Sequence, residues 1–299
     1  MFFLKLISKL PNFRGKGTLF QFFKKIYLKK GNPVVISKGK LGVFSLDLRS
    51  FEWEYFCNGT YDENEISLIL SDIDIDKTFI DVGANIGFYT VAIAKKIKES
   101  NGKGKVISFE PHPKNFQRLK KNIELNDLSS YVDLHNIGLS DKDQTLNLVL
   151  REDFSQGAET GNASVAINSN YDHGFEKIKI KTKIFDNFIK LNYPNLKISF
   201  IKIDIEGHED NFLKGAQKSI QKHFPKIVIE VNKAYYYAKD VDACNEISKL
   251  LPKYHFRNIA SGSGSTSTSS ISINHASKSS QILSEIAINE INNIYCFTI

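Results

Sequence analysis

From residue 77 onward, short apolar runs alternate with amphipathic stretches, and that alternation leaves few folds open. "KTFIDVG", "KVISFEP", "VDLHNIGLS", "ISFIKIDIEG", "KIVIEVN" and the closing "IYCFTI" each read as one strand. Between them, "FYTVAIAKKIKES", "PKNFQRLKKNIELN", "EDNFLKGAQKSIQKH" and "DACNEISKLL" each read as one helix. Phe116, Leu119, Ile123 and Leu125 mark the apolar side of the second helix. Strands alternating with helices predict a mostly parallel sheet with helices on both faces. Residues 77–299 form this unit, and residues 1–76 form an N-terminal extension. Within the extension, "NPVVISKGKLGVFSLDL" reads as two short strands around a turn. "YDENEISLILSDI" reads as a helix capped by Asp62 or Asn64. Two stretches break the alternation. Residues 140–188 read as a β-rich insertion of the kind that covers substrates, and residues 261–280 as a Ser-rich surface loop.

Charge is unevenly placed. Residues 1–30 hold eight of the 40 basic residues and no acid, whereas the rest balances 32 basic against 33 acidic residues. A near-neutral body argues against a broad nucleic-acid face. The segment "TLFQFFKKIYLKK" has two readings: a basic amphipathic helix on an anionic membrane surface, or a helix whose aromatics pack on the domain. No apolar run reaches the ~20 residues of a membrane helix, and "MFFLKLISKL" lacks a cleavage site of the secretory type. Cys57, Cys244 and Cys296 are scattered and make neither a metal pattern nor a disulfide framework, which predicts a reducing, cytoplasmic location, with peripheral membrane contact through residues 1–30 on the first reading.

The stretch "FIDVGANIGFYT" is a glycine-rich turn between a strand and a helix, where a ligand can approach the backbone closely. Gly83 and Gly87 supply the freedom, with Asn85 between them. Asp81 ends the strand, and a carboxylate there suits an ammonium group better than a pyrophosphate. Thr90 offers a hydroxyl on the first helical turn. Glu110, ending the next strand, is placed to grip two ribose hydroxyls, and Pro111 then forces the turn. Each also has a plainer reading: glycines for tight packing, Asp81 as a helix cap, Glu110 as a solvated strand end.

The series "DVGANIGFYT", "SFEPHPKNFQRLKKNIELN", "HNIGLSD", "IKIDIEGHEDNFLKGA" and "IVIEVN" resembles the FkbM family of S-adenosylmethionine-dependent methyltransferases, over roughly residues 45–299. The resemblance implies an α/β, Rossmann-like, seven-stranded class I methyltransferase sheet with an antiparallel last strand. It implies S-adenosyl-L-methionine as cofactor and O-methylation of sugars or secondary metabolites. Asp81, Gly83, Asn85 and Gly87 match the family's first cofactor motif and Glu110 its ribose-binding acid. Asn136 and Gly138 fall where its third strand passes the adenine.

The chemical end of such a site is "IKIDIEGHED", after the fourth strand. Methyl transfer to an alcohol requires alignment of the acceptor oxygen and removal of its proton. Asp204 is the expected contact at the reacting centre. His208 is the expected general base, because an unperturbed imidazole titrates near ~6.5, although a solvent-facing helix start explains it equally well. Glu206 is a further catalytic candidate, and Glu206 and Glu209 also suit the positive end of the next helix. Glu230 and Asn232 are expected to hold acceptor hydroxyls. These carboxylates and His208 are compatible with a divalent metal, but their spacing matches no metal motif and none is assigned. His112 reads as a turn residue. The leading reading is methylation of a sugar hydroxyl in a glycan or glycolipid, with a small secondary metabolite as the alternative acceptor. Nucleic-acid methylation is disfavoured by the charge pattern and by the lack of an Asn-Pro-Pro-aromatic turn at Asp204. A non-catalytic cofactor-binding scaffold is the remaining alternative. The sequence sets no oligomeric state.

Overall fold

The computed structural model describes residues 1–259 and 291–298, so the Ser-rich stretch 261–280 lies outside the described residues. The chain opens with two helices, α1 (Phe2–Ser8) and α2 (Lys16–Leu28), followed by the hairpin β1 (Val34–Lys38) and β2 (Val43–Asp47). Then come β3 (Thr78–Val82), β4 (Val106–Phe109), β5 (Val132–His135), β6 (Gly138–Ser140) and β7 (Gln144–Leu150). The remaining strands are β8 (Ala163–Val165), β9 (Lys177–Ile184), β10 (Ile198–Ile203), β11 (Lys226–Asn232), β12 (His255–Ile259) and β13 (Ile291–Phe297). The main sheet has seven strands in the order β12-β13-β11-β10-β3-β4-β5. Only β13 runs antiparallel to its neighbours. Strand order reverses at β3, with β4 and β5 on one side and β10 and β11 on the other, and such a switch point opens a crevice at the strands' carboxyl ends.

Side chains along β3 alternate between two cores, as the pleat requires. Phe79 points into the core that holds Val106 and Phe200, together with the helix Phe88–Glu99. Ile80 and Val82 point into the other, with Ile107, Ile201 and Ile229. Leu4, Ile7 and Phe20 of the N-terminal helices are buried in the first core, where Phe20 stacks on Trp53 at 5.6 Å. Among the described residues no helix is long and apolar enough to cross a membrane.

Two elements differ from their sequence reading. "VDLHNIGLS" is two strands in two sheets: β5 belongs to the main sheet, while β6 starts a four-stranded sheet ordered β6-β9-β7-β8. Asn136 turns the chain between them by donating its amide to the carbonyls of Glu110 (2.8 Å) and Pro111 (3.1 Å). "EDNFLKGAQKSIQKH" is two helices, Glu209–Gly215 and Gln217–His223. Gly215 packs so closely on β6 that a Cβ there would lie 2.2 Å from the Ser140 carbonyl oxygen. The helix Pro113–Leu125 is rotated relative to its apolar stripe and buries Asn115, Arg118 and Asn122 beside Leu119 and Ile123. Asn122 accepts from the Ser45 N–H (2.7 Å) and donates to the Ile86 carbonyl (2.8 Å), tying the hairpin to the glycine-rich turn.

Candidate active site

The glycine-rich turn is fixed to the end of β4. The N–H groups of Gly83 and Ala84 both donate to the Phe109 carbonyl at 3.0 Å. Gly83, Asn85 and Gly87 are left-handed, with φ of 84°, 49° and 95°. At Gly83 the need for glycine is absolute, because a Cβ would lie 1.8 Å from the Asp204 carbonyl oxygen. The turn is thereby pressed against the end of β10, bringing the first motif to the chemical end of the site.

Glu110 closes the turn from β4. One carboxylate oxygen accepts from the Asn85 N–H and the other from the His112 N–H, both at 2.8 Å. Burial pushes its carboxyl up to about 7, and those two N–H groups and Asn115 hold it from rising further. His112 caps the next helix, its Nδ1 accepting from the Asn115 N–H at 3.2 Å. Glu110 and Asn85 line a cleft between the main sheet and the second sheet. Phe109, Ile137 and Leu139 form apolar walls, and Leu148, Val165 and Ile180 reach in from the second sheet. Pro111 and Gly138 also line the cleft. The Asn85 Oδ1 atom is buried there with no hydrogen-bond partner among the described residues, and such a group costs free energy until a donor arrives.

At the far end the cleft meets Asp204, Ile205, Glu206 and His208. Glu206 and Gly207 are successive left-handed residues, with φ of 52° and 87°, a conformation a non-glycine residue holds only where its surroundings impose it. Glu209 imposes it: its Oε1 accepts from the Gly207 N–H at 2.9 Å, and its Oε2 from the Tyr236 hydroxyl at 2.7 Å. Lys239 donates to the Gly207 carbonyl from outside the loop. Burial first, then the charges of Asp204 and Glu209, push the Glu206 carboxyl up to about 8. Glu230 is raised well above the carboxylate range, by Asp204 first and burial second.

Lys202 is the counterweight, and nothing in the sequence reading singled it out. It stands in register with Asp81 on the neighbouring strand and donates to Asp204 at 2.6 Å. Its Nζ lies 4.3 Å from the centre of the Tyr89 ring. Burial lowers its pKa, but Asp204, Asp81, Glu65 and Glu230 more than reverse this, so the ammonium stays charged. A lysine inside the otherwise apolar run "ISFIKI" was the available signal.

Several expected residues stand elsewhere. Asp81 does not line the cleft: it is fully buried beneath the turn, where Thr90 Oγ1 donates to its carboxylate at 2.6 Å. Thr90 also pairs with Ser108 at 2.8 Å, so its hydroxyl braces the strands from below. Gly87 starts the helix Phe88–Glu99, and a Cβ on it would meet Leu119 at 2.5 Å. Asn136 is the chain-turning residue described above. Asn232 uses its side-chain oxygen to cap the helix Lys233–Tyr237. Asp62 occupies the expected cap position but accepts instead from the Tyr89 hydroxyl at 3.1 Å. His208 does line the cleft, but its ring is held on both sides. Asn211 donates to its Nδ1 at 3.2 Å, which leaves Nε2–H to donate to Ser140 Oγ at 2.9 Å. Burial, then the Lys239 charge, lower its pKa to about 4. The premise that made it a base, an imidazole titrating near neutrality with a free lone pair, does not hold.

The methyltransferase FkbM domain matches residues 81–258, more than half of the chain. The chain belongs to the FkbM methyltransferase family. Among its relatives, Methyltransferase 1 of Beauveria bassiana is 25% identical over 56% of this chain and 74% of its own length. Hexuronic acid methyltransferase AglP of Haloferax volcanii is 26% identical over 63% of this chain and 70% of its own. The crystal structure of methyltransferase FkbM from Methylobacillus flagellatus aligns with 19% identity and a TM-score of 0.43, covering 98% of this chain. This chain spans 58% of that one. Methyl transfer is therefore the chemistry into which the cleft has to fit.

Proposed function

We propose that this FkbM-family protein is an O-methyltransferase that uses S-adenosyl-L-methionine and takes a sugar hydroxyl as acceptor. One observation carries the reading. A single cleft at the sheet's switch point joins a nucleoside-type end, Glu110 and Asn85, to a crowded carboxylate end, Asp204 and Glu206. When bound, S-adenosylmethionine supplies a methyl carbon attached to positively charged sulfur. Glu110, already aligned by two backbone N–H groups, accepts from the ribose hydroxyls. The unpaired Asn85 Oδ1 accepts from a further donor of the cofactor, and the apolar walls enclose the base. Asp204, backed by the Lys202 ammonium, lies at the reacting centre and orients the acceptor. The ionised form of Glu206, whose carboxyl is raised to about 8, would take the hydroxyl proton as the acceptor oxygen bonds to the methyl carbon and the carbon–sulfur bond breaks, with S-adenosylhomocysteine as the leaving group.

One fact favours a carbohydrate acceptor over a small apolar metabolite: the relative AglP is by name a hexuronic acid methyltransferase. Calorimetric titration with S-adenosylmethionine, followed by transfer of a deuterated methyl group to glucuronides, neutral hexosides and a phenol, tests the reading. The expected result is micromolar cofactor binding and label on a sugar oxygen. A folded sample that takes up no cofactor overturns the whole reading, and label on the phenol alone overturns the acceptor class.

A further inference from the structure

Helix α2 buries Phe20 in the core, but it also buries Lys16 and Lys24 and leaves Phe22 (60%) and Ile26 (51%) in solvent. The Lys24 ammonium lies over the Trp53 ring at 5.1 Å, and Lys16 donates to the Leu10 carbonyl at 2.9 Å. Helix α1 exposes Phe2 (74%) and Phe3 (56%) on the same side of the molecule, since Phe3 stacks on Phe23 at 5.0 Å and Phe23 meets Phe22 edge-on at 5.3 Å. The two helices thus share one continuous apolar patch. Six cations are exposed among these residues, Lys5, Lys9, Arg14, Lys25, Lys29 and Lys30, and none is in an ion pair among the described residues. No acid occurs in residues 1–30.

We infer that α1 and α2 dock on the surface of an anionic lipid bilayer, with the phenylalanines entering the acyl boundary and the lysines meeting the headgroups. Aromatic residues ringed by unpaired lysines match an interfacial membrane helix pair. They do not match the core of a protein–protein interface, from which lysine is depleted. Charge complementarity points the same way, because residues 1–30 carry eight cations and no acid and so complement an anionic headgroup layer. The loop between the two helices and the first turn of α2 line a cavity with Asn12, Phe13 and Lys16, facing Tyr61, Asp62 and Glu65. On the methyl-transfer reading above, on which only this corollary rests, a lipid-linked sugar would reach the carboxylate cluster from that side.

Vesicle co-sedimentation without cofactor tests the docking separately from catalysis. The full chain is mixed with vesicles of phosphatidylcholine and phosphatidylglycerol (3:1) or of phosphatidylcholine alone. Partitioning onto the anionic vesicles is expected to be about tenfold stronger or more, and to weaken as salt is raised. The variant Phe3→Ser/Phe22→Ser/Ile26→Ser is expected to lose about tenfold of that partitioning. Equal partitioning onto both vesicles, or none onto either, overturns the inference. So does an unchanged variant, or concentration-dependent dimerisation that the variant abolishes in light scattering. Should the variant not fold by circular dichroism, the comparison of the two lipids on the unmodified protein still decides.

Discussion

Glu110 and Glu206 end two strands of the same sheet, and both carboxyls are raised toward neutrality, but they are built differently. Glu110 is buried and satisfied, with a backbone N–H on each oxygen. Glu206 accepts no hydrogen bond from the described residues, stands in a left-handed conformation and faces the charges of Asp204 and Glu209. On the proposed reading, the satisfied carboxylate grips the cofactor and the crowded one, which gains by taking a proton, acts as the base.

The strongest way to break that contrast is Glu206→Gln. Turnover is expected to fall by about a hundredfold or more, with cofactor affinity unchanged in calorimetry. A Glu206→Gln enzyme of full activity would remove the base from this position. Glu110→Gln should do the reverse, weakening cofactor binding by about tenfold, the scale of one charged hydrogen bond, while saturating cofactor restores most of the turnover.

Acidity sharpens the comparison. If Glu110 grips the cofactor's hydroxyls as proposed, it does so ionised, so affinity is expected to rise with pH through about 7 and then level off. The kcat/KM of the wild type should continue to rise toward pH 8, following Glu206. In Glu110→Gln the affinity step should vanish and the rate step remain. Stability runs the other way. Glu52, Glu65 and Glu110, each raised to about 7, hold protons that the unfolded chain releases near 4.5. Their contribution is complete below that lower value and is lost as pH rises through about 7. Thermal melts should therefore show Tm falling from about pH 6.5, the ordinary value above which His112 and His208 no longer titrate in either state, to about 7, and on to about 8 through Glu206 alone.

The smallest catalytic effect is expected at His208. His208→Ala removes two buried hydrogen bonds and should lower stability by about 1–3 kcal/mol, yet change turnover by less than about threefold, because its pKa of about 4 leaves it no role as a base. A collapse of kcat in a fully folded variant would reinstate it.

Much of this was legible in the sequence. Periodicity disclosed the alternating sheet, and the ordered motifs carried the family resemblance. Gly83, Asn85, Glu110, Pro111, Gly138, Asp204 and Glu206 were all singled out and all line the cleft. They were legible because strand ends and glycine turns leave local signals: a left-handed backbone needs glycine or asparagine, and a strand end at a switch point faces the crevice. Asp81, Thr90 and His208 were visible as residue types and misjudged as to surroundings. A carboxylate at a strand's end and one beneath the turn look alike in sequence. Only the register of β3 against β10 placed Asp81 opposite Lys202 and away from the cleft.

The sequence by itself determined the order of elements, the positions of the tight turns and the basic, aromatic character of the first 30 residues, because each follows from local stereochemistry or composition. Only the tertiary structure decided which carboxylate is satisfied and which is crowded, that the His208 Nδ1 lone pair is taken by Asn211, and that α2 buries Lys24 and Phe20 while it leaves Phe22 and Ile26 in solvent. Those depend on partners distant in the chain, Asn85 for Glu110, Ser140 for His208, Trp53 for Lys24, and a pKa or an exposed face is a property of such neighbours rather than of the residue that bears it.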